Sequence, residues 1–199
     1  AHPVTKMLLM FHCPRLPQLL SCALFGVFAC SVQASTPAPV PDSLLPLLVT
    51  INERLNTADL VALTKWDSGK PVQDTARETQ LIDNARKTAV SQKLNPDEVA
   101  DLIAAQIEAN KLVQYGLLAQ WRAADKAPDT PRPDLIHQIR PLLDELQHRL
   151  LQQYAAFEPY RNNPHCPDWL GTERASLIKD QLHGQALIRA TGELCVIVP

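Results

Sequence analysis

The 199-residue sequence has few glycines, few aromatic residues and no marked excess of charge of one sign. Six glycines stand against seventeen prolines, which favours long helices with proline-containing connections over a turn-rich sandwich or barrel. The formal net charge is -2, and the sequence lacks basic runs that would bind nucleic acid or an anionic membrane surface. With 46% hydrophobic residues, we predict an all-α fold, a single-chain helical bundle of about five to six helices.

The sequence also lacks an apolar run long enough for a membrane-spanning helix. The run over Leu19–Cys30 is much shorter than the roughly 20 residues that such a helix needs. It follows Arg15 and precedes small residues that offer a cleavage point after Ala34, which is the order of a secretory signal peptide. We therefore predict a periplasmic or secreted protein with no stable membrane insertion.

The predicted export divides the chain into a removed segment and one domain. Residues 1–34 contain the signal peptide and the residues upstream of it, and residues 35–199 form the exported domain. A lipoprotein signal that ends at Cys30 is the alternative, although Phe28 is bulky for that kind of cleavage site.

Only two of the five cysteines remain after residue 34, Cys166 and Cys195. A cysteine pair in an exported chain is expected to form a disulfide because the compartment is oxidising. Closing a loop of this length would stabilise the fold by roughly 3 to 4 kcal/mol. Two buried thiols are the alternative.

Polar caps and proline-containing breaks divide the exported domain into helices. Aspartate, serine and asparagine side chains cap helix N-termini, and proline is favoured in the first turn. Asn95-Pro96 is such a start, and Asp67–Pro71 is such a break. We predict five helices. The first is capped by Asp42 or Ser43, the second is capped by Asp74, and the third runs from Asn95 to about Ala124. The fourth helix follows the linker 125–133, and the last spans Thr172–Thr191.

Apolar residues at helical spacing define the predicted inward faces. Pro141 interrupts the fourth face, so that helix either starts near Arg140 or kinks there. The expected inward residues are Leu81, Ala85, Ala89 and Val90 in the second helix, and Leu135, Ile139, Leu142, Leu143, Leu146, Leu150 and Tyr154 in the fourth.

Polar residues flank the inward face of the first helix and interrupt that of the third. Arg54 and Lys65 are close to three full turns apart and therefore share one face, roughly 16 Å from each other. The seam of the third helix contains Asn110 and Gln114, whose amides would each cost about 1 to 3 kcal/mol if buried without partners. By themselves these features fit solvated flanks and register-setting hydrogen bonds as well as a polar pocket. The histidines after residue 34 show no metal-ligand spacing, and there is no glycine-rich phosphate loop.

Four segments of the chain together resemble the all-helical chorismate mutases. The resemblance is specific because the intervals from Arg54 to Lys65, Lys65 to Arg77 and Arg77 to Gln114 all fit at once. The export signal, the longer C-terminal half and the cysteine pair are similar to the secreted gamma subclass, which implies core catalytic helices over 35–124 and a pocket completed by 134–199. The four segments are Glu53–Leu55, Ala58–Trp66, Pro71–Glu78 and Gln106–Gln114.

The resemblance implies the rearrangement of chorismate to prephenate in aromatic amino acid biosynthesis, with no cofactor, metal or covalent intermediate. The protein would hold the flexible dianion in a chair-like conformer and stabilise the charge that grows on the breaking ether oxygen. Lys65 and Gln114 are expected to donate to that oxygen, and arginines led by Arg54 to bind the carboxylates. The implied substrate-binding set is Arg54, Lys65, Asp74, Arg77, Glu78, Asn110, Gln114 and Arg140.

The family resemblance also implies individual roles within this set. Glu78 is expected to accept from the ring hydroxyl, with Asp74 holding the helix start beside it, and Asn110 to assist at a carboxylate. Arg140 is expected to supply the third arginine from within the same chain, and Arg149 is the alternative. A homodimer is the expected assembly because it is common in the family.

Two other functions share parts of this pattern. An isochorismate pyruvate lyase would have the same fold and a lysine at the position of Lys65, but those lyases lack the acid beside Arg77, so Glu78 favours the mutase. A non-catalytic secreted binding or effector protein would keep a pocket, although it would have no need for the complete charged set.

Overall fold

The computed structural model describes residues 38–196, and every regular element in that part of the chain is helical. The prediction of an all-α fold is confirmed. The predicted signal peptide, its cleavage point and the Cys30 alternative lie outside the described residues. The helices are α1 (Leu44–Ser68), α2 (Thr75–Ser91), α3 (Pro96–Ala123), α4 (Arg140–Phe157), α5 (Cys166–Ala175) and α6 (Gln181–Ala190), with a π-helical turn at Leu135–Ile139 and a 3₁₀ turn at Glu158–Tyr160.

Local side-chain chemistry sets most helix ends where the sequence predicts them. Asp74 accepts a hydrogen bond from the amide of Arg77 at 3.1 Å, and Asn95 accepts from the first amides of α3. At the end of α1, Gly69 adopts a left-handed conformation with φ of 63°, which glycine tolerates best. Ser43 occupies the cap position of α1, but its side chain makes no capping hydrogen bond.

The core lies around α3, which packs against α1, α2 and α6, while α1 also packs against α4. None of the helices within residues 38–196 combines the length and apolarity that crossing a membrane requires. The largest fully buried side chains are Tyr154, Phe157, Leu44, Leu47, Leu48, Ile51, Leu102, Ile103, Leu146, Leu150, Leu151 and Leu187.

A disulfide joins Cys166, the first residue of α5, to Cys195, which follows α6. The predicted bridge is therefore present, and the alternative of two free thiols is wrong. Arg161 supports the same connection from inside the fold. Its buried guanidinium donates to the carbonyls of Leu194 at 3.1 Å and Glu193 at 3.0 Å, so the residues before Cys195 are also held by hydrogen bonds.

The inward orientation predicted for two residues is wrong. Val90 is 66% exposed and Leu142 is 39% exposed. Each directly neighbours a residue that does face inward, Ala89 and Leu143, and consecutive residues of a helix point about 100° apart. At these two points the inward face takes in only one residue of each pair. In α2 the core contact is made instead by Ile82.

The predicted single helix over Thr172–Thr191 is wrong, because the chain forms two helices there. α5 ends at Ala175 and α6 begins at Gln181. Asp180 has extended backbone and accepts from the amide of His183 at 2.9 Å, so it caps a new helix.

The fourth helix begins at Arg140, in agreement with one of the two alternatives left open by Pro141. The π-helical turn that precedes it was not predicted. Within this turn the amide of Ile139 donates to the carbonyl of Asp134, five residues earlier, at 3.1 Å. Pro141 lies in the first turn of α4, a position for which the fixed φ of proline is well suited.

Candidate active site

One cavity of about 150 Å³ lies between α1, α2, α3 and the beginning of α4. It is lined by every residue of the predicted substrate-binding set. Arg149 is absent from this lining, since its guanidinium pairs with Glu53 at 2.8 Å and lies 3.8 Å from Glu145. The cavity therefore favours Arg140 over Arg149. The set that lines it is Arg54, Lys65, Asp74, Arg77, Glu78, Asn110, Gln114 and Arg140.

The first helix contributes two cations to the cavity, Arg54 and the half-buried Lys65. Arg54 is only 7% exposed, and its guanidinium donates to the carbonyl of Leu143 on α4 at 3.0 Å. Burial lowers the pKa of Arg54 from its ordinary value to about 10, although the charge of Asp144 opposes this effect. The desolvated guanidinium lacks a carboxylate at bonding distance in the described residues, which suits it to bind an anionic ligand.

The first turn of α2 presents three charged residues in an arrangement set by its cap. Asp74 accepts from the amide of Arg77 at 3.1 Å, and Glu78 Oε1 accepts from the amide of Asp74 at 3.1 Å. This reciprocal capping fixes the direction in which the turn enters the cavity. The Arg77 guanidinium donates to Gln80 at 3.0 Å and lies 3.5 Å from Asp144.

The two polar residues of the α3 seam form hydrogen bonds to each other and to a carbonyl of α1. Gln114 Nε2 donates to Asn110 Oδ1 at 2.7 Å, and Asn110 Nδ2 donates to the backbone carbonyl of Arg54 at 3.4 Å. Because a carbonyl can only accept, this contact orients the Asn110 amide, which in turn directs the Gln114 nitrogen toward Asn110. The buried Oε1 of Gln114 has no hydrogen-bond partner in the described residues.

A further cation in the cavity, Lys111, was not predicted from the sequence. Its ammonium lies 3.1 Å from Glu78 Oε2 and 2.7 Å from Glu108 Oε1. Burial would lower the pKa of Lys111, but the hydrogen bonds that its ammonium donates to Glu108 and Glu78 outweigh this effect and raise the pKa above its ordinary value. The only signal in the sequence was Glu108 three residues earlier, because the contact with Glu78 depends on how α2 packs against α3.

The cavity lining is strongly cationic, with five basic side chains against two carboxylates. Such a balance suits a small ligand with more than one negative charge. Within residues 38–196 there is no group of histidine, cysteine, aspartate or glutamate side chains placed to hold a metal ion. The charged residues of the lining are Arg54, Lys65, Arg77, Lys111 and Arg140, with Asp74 and Glu78.

Residues 46–115 match the family model described as chorismate mutase type II. The chain is 29% identical to a secreted chorismate mutase from Mycobacterium tuberculosis, over 74% of this chain and 75% of the relative. It is 33% identical to a secreted chorismate mutase from Mycolicibacterium smegmatis, over 73% of this chain and 78% of the relative.

Solved structures of the same family have the same fold. A chorismate mutase from Burkholderia phymatum superimposes with a TM-score of 0.76 and 41% identity, over 78% of this chain and 98% of that chain. A secreted chorismate mutase from Yersinia pestis gives a TM-score of 0.62 and 26% identity, over 75% of this chain and 93% of that chain. The helical fold, the cationic cavity and these similarities together show that the chain belongs to the chorismate mutase type II family.

Proposed function

We infer that this protein is a chorismate mutase, which converts chorismate to prephenate. The observation that carries this conclusion is the single cavity in which the family-specific cations and amides meet. The reaction breaks one carbon–oxygen bond and forms one carbon–carbon bond within a single molecule, so it requires neither a nucleophile nor a general base. The protein needs only to hold the substrate in its reactive conformation and to stabilise developing negative charge.

The arginines of the cavity are suited to hold the two carboxylates of chorismate. Arg54, Arg77 and Arg140 come from α1, α2 and α4, so they approach the ligand from three directions. The planar guanidinium can bind a carboxylate through two parallel hydrogen bonds, which fixes orientation as well as position. Restricting both carboxylates would favour the compact conformer that the rearrangement needs.

Lys65 and Gln114 would donate to the ether oxygen as its bond breaks. Gln114 Nε2 carries two hydrogens, of which one is used by Asn110, so the second can serve the substrate. In this arrangement Asn110 orients Gln114, in addition to its expected contribution at a carboxylate. An amide that Asn110 already orients costs little reorganisation when charge develops on the oxygen.

The carboxylate of Glu78 would accept from the ring hydroxyl, with Asp74 holding the helix start. A carboxylate oxygen has two lone pairs, so each oxygen of Glu78 can accept from a ligand besides its present partner. This residue also favours the mutase over an isochorismate pyruvate lyase.

A continuous assay of chorismate absorbance tests the proposed function. Prephenate is identified by its conversion to phenylpyruvate in acid, and isochorismate is supplied in parallel with detection of pyruvate. We expect prephenate from the wild type, a loss of at least about 100-fold in Arg54→Ala and Lys65→Ala, and near-normal activity in the control Arg149→Ala. Pyruvate from isochorismate with unchanged chorismate would show a lyase, and no reaction of either would show a binding protein.

We also propose export and self-association. The disulfide and the curated relatives named as secreted support export, and mass spectrometry of the protein from the periplasm or medium would reveal whether cleavage follows Ala34.

The proposed homodimer follows from the family resemblance. Light scattering measures the mass of the assembly. Mixing an inactive variant with wild type should not lower the activity of the wild-type subunits, because α1 to α4 of one chain line the cavity.

A further inference from the structure

The ion pair between Lys111 and Glu78 connects α3 to the first turn of α2 inside the cavity. The ammonium and carboxylate are 3.1 Å apart, and their side chains are only 13% and 20% exposed. Glu108, the second partner of Lys111, is 51% exposed and is not part of the cavity lining. The contact between Lys111 and Glu78 is therefore the better shielded of the two.

Both oxygens of Glu78 are held by groups of the protein. Oε1 accepts from the amide of Asp74 at 3.1 Å, and Oε2 accepts from Lys111. A carboxylate held at both ends cannot rotate freely, so the direction of its remaining lone pairs is fixed before any ligand arrives. The amide of Asp74 would remain without Lys111, but the second oxygen would lose its anchor and its neutralising charge.

We infer that Lys111 is a positioning residue, whose ammonium pairs with the Glu78 carboxylate and holds it oriented toward the hydroxyl of the substrate ring. This inference rests on the proposed function, because it assumes that Glu78 accepts from that hydroxyl. Partial burial favours the protonated form of a carboxyl group, and a nearby ammonium opposes this. The other charged groups facing Glu78 across the cavity are Asp74 and Arg77 on α2, Arg54 and Lys65 on α1, and Arg140 on α4.

A double-mutant cycle distinguishes positioning of Glu78 from direct binding of substrate by Lys111. We expect Lys111→Met to lower kcat/KM by about 10-fold to 100-fold, which is the range for a lost charge-assisted hydrogen bond. In the Glu78→Gln background the same substitution should change kcat/KM by less than about twofold, because the group on which Lys111 acts is gone. Effects that multiply in the double variant would overturn the inference.

The pH profile supplies a readout that a merely structural role would not change. In Lys111→Met, the acid limb of kcat/KM should move to higher pH, and Lys111→Arg should restore the wild-type limb. An unmoved acid limb in Lys111→Met would contradict the inference. Arg122→Met is the matched control, since Arg122 is an exposed cation in the last turn of α3 outside the cavity lining.

Two further measurements separate other causes of failure. Thermal unfolding of each variant identifies loss of fold, and Lys111→Gln replaces Lys111→Met in the cycle if the latter does not fold. If the wild type fails to convert chorismate, the proposed function is wrong. If the wild type is active and only the cycle or the pH profile disagrees, the inference about Lys111 alone is wrong.

Discussion

Replacement of Arg54 by methionine is predicted to stabilise the fold while it removes activity. Methionine keeps the unbranched apolar stem of the side chain but carries no charge. Burial lowers the pKa of Arg54 to about 10, which means that folding disfavours the charged form. At every pH below about 10 the group is protonated in both folded and unfolded states, so this cost is fully present at neutral pH.

The size of the effect follows from two opposing contributions. Lowering the pKa of an arginine from its ordinary value to about 10 corresponds to about 3 kcal/mol of lost stability. The hydrogen bond from Arg54 to the Leu143 carbonyl is a charge-assisted bond that returns about 1.5 to 3 kcal/mol. We therefore expect the free energy of unfolding of Arg54→Met to equal that of the wild type or to exceed it by at most about 2 kcal/mol.

Denaturant unfolding and steady-state kinetics together test this prediction. The value of kcat/KM should fall by about 100-fold to 1,000-fold, because a buried cation that binds a substrate carboxylate is lost. Arg149→Met is the control: its pair with Glu53 is exposed, so stability should change by at most about 1 kcal/mol and activity should persist. A variant Arg54→Met that is less stable than the wild type by more than about 2 kcal/mol would refute the burial argument.

Three further predictions concern the amide, the disulfide and the approach to α4. Gln114 donates at any pH, so wild-type activity should stay high through neutrality. The variant Gln114→Glu should be active only in acid, where its carboxyl group is protonated. Wild-type activity confined to acid would contradict the role of Gln114 as a donor. Joint replacement of Cys166 and Cys195 by serine should lower the free energy of unfolding by about 3 to 4 kcal/mol in denaturant titrations, and an unchanged midpoint would contradict this. Hydrogen bonds from the His137 side chain and amide lower the pKa of Asp134 to about 2. This cap should therefore stabilise the turn above about pH 4 and be lost as the pH falls toward 2. NMR titration of the His137 amide tests this, and a titration midpoint near pH 4 would refute it.

The helix boundaries that were predicted correctly depend on chemistry within one turn. Asp74, Asn95 and Gly69 act on backbone groups at most a few residues away, so their sequence neighbourhood determines the outcome. Asp180 acts in the same local way, and its signal was available although the prediction placed it inside a longer helix. Helix faces depend on tertiary packing, which explains why periodicity alone chose Val90.

The candidate site shows the same division between local and tertiary information. The family resemblance indicated which residues to group, and the structure brings all of them to one cavity. Sequence reasoning identified Asn110 and Gln114 as needing partners but could not show that they would bind each other and the carbonyl of Arg54. It missed Lys111 because the residue with which that side chain pairs in the cavity, Glu78, lies 33 positions earlier in the chain.

The π-helical turn before α4 makes the cavity sensitive to chain length at this point. Residues five apart in an α-helix point about 140° away from each other, yet Leu135 and Arg140 both line the cavity from either end of this turn. Deleting one residue between them would allow an ordinary α-helical turn in which Leu135 and Arg140, then four residues apart, point only about 40° from each other, so both side chains could stay in the cavity. Inserting one residue instead would place them six apart and about 120° from each other in an α-helix, so at this connection an insertion should disable the enzyme without unfolding it, whereas the deletion should be tolerated.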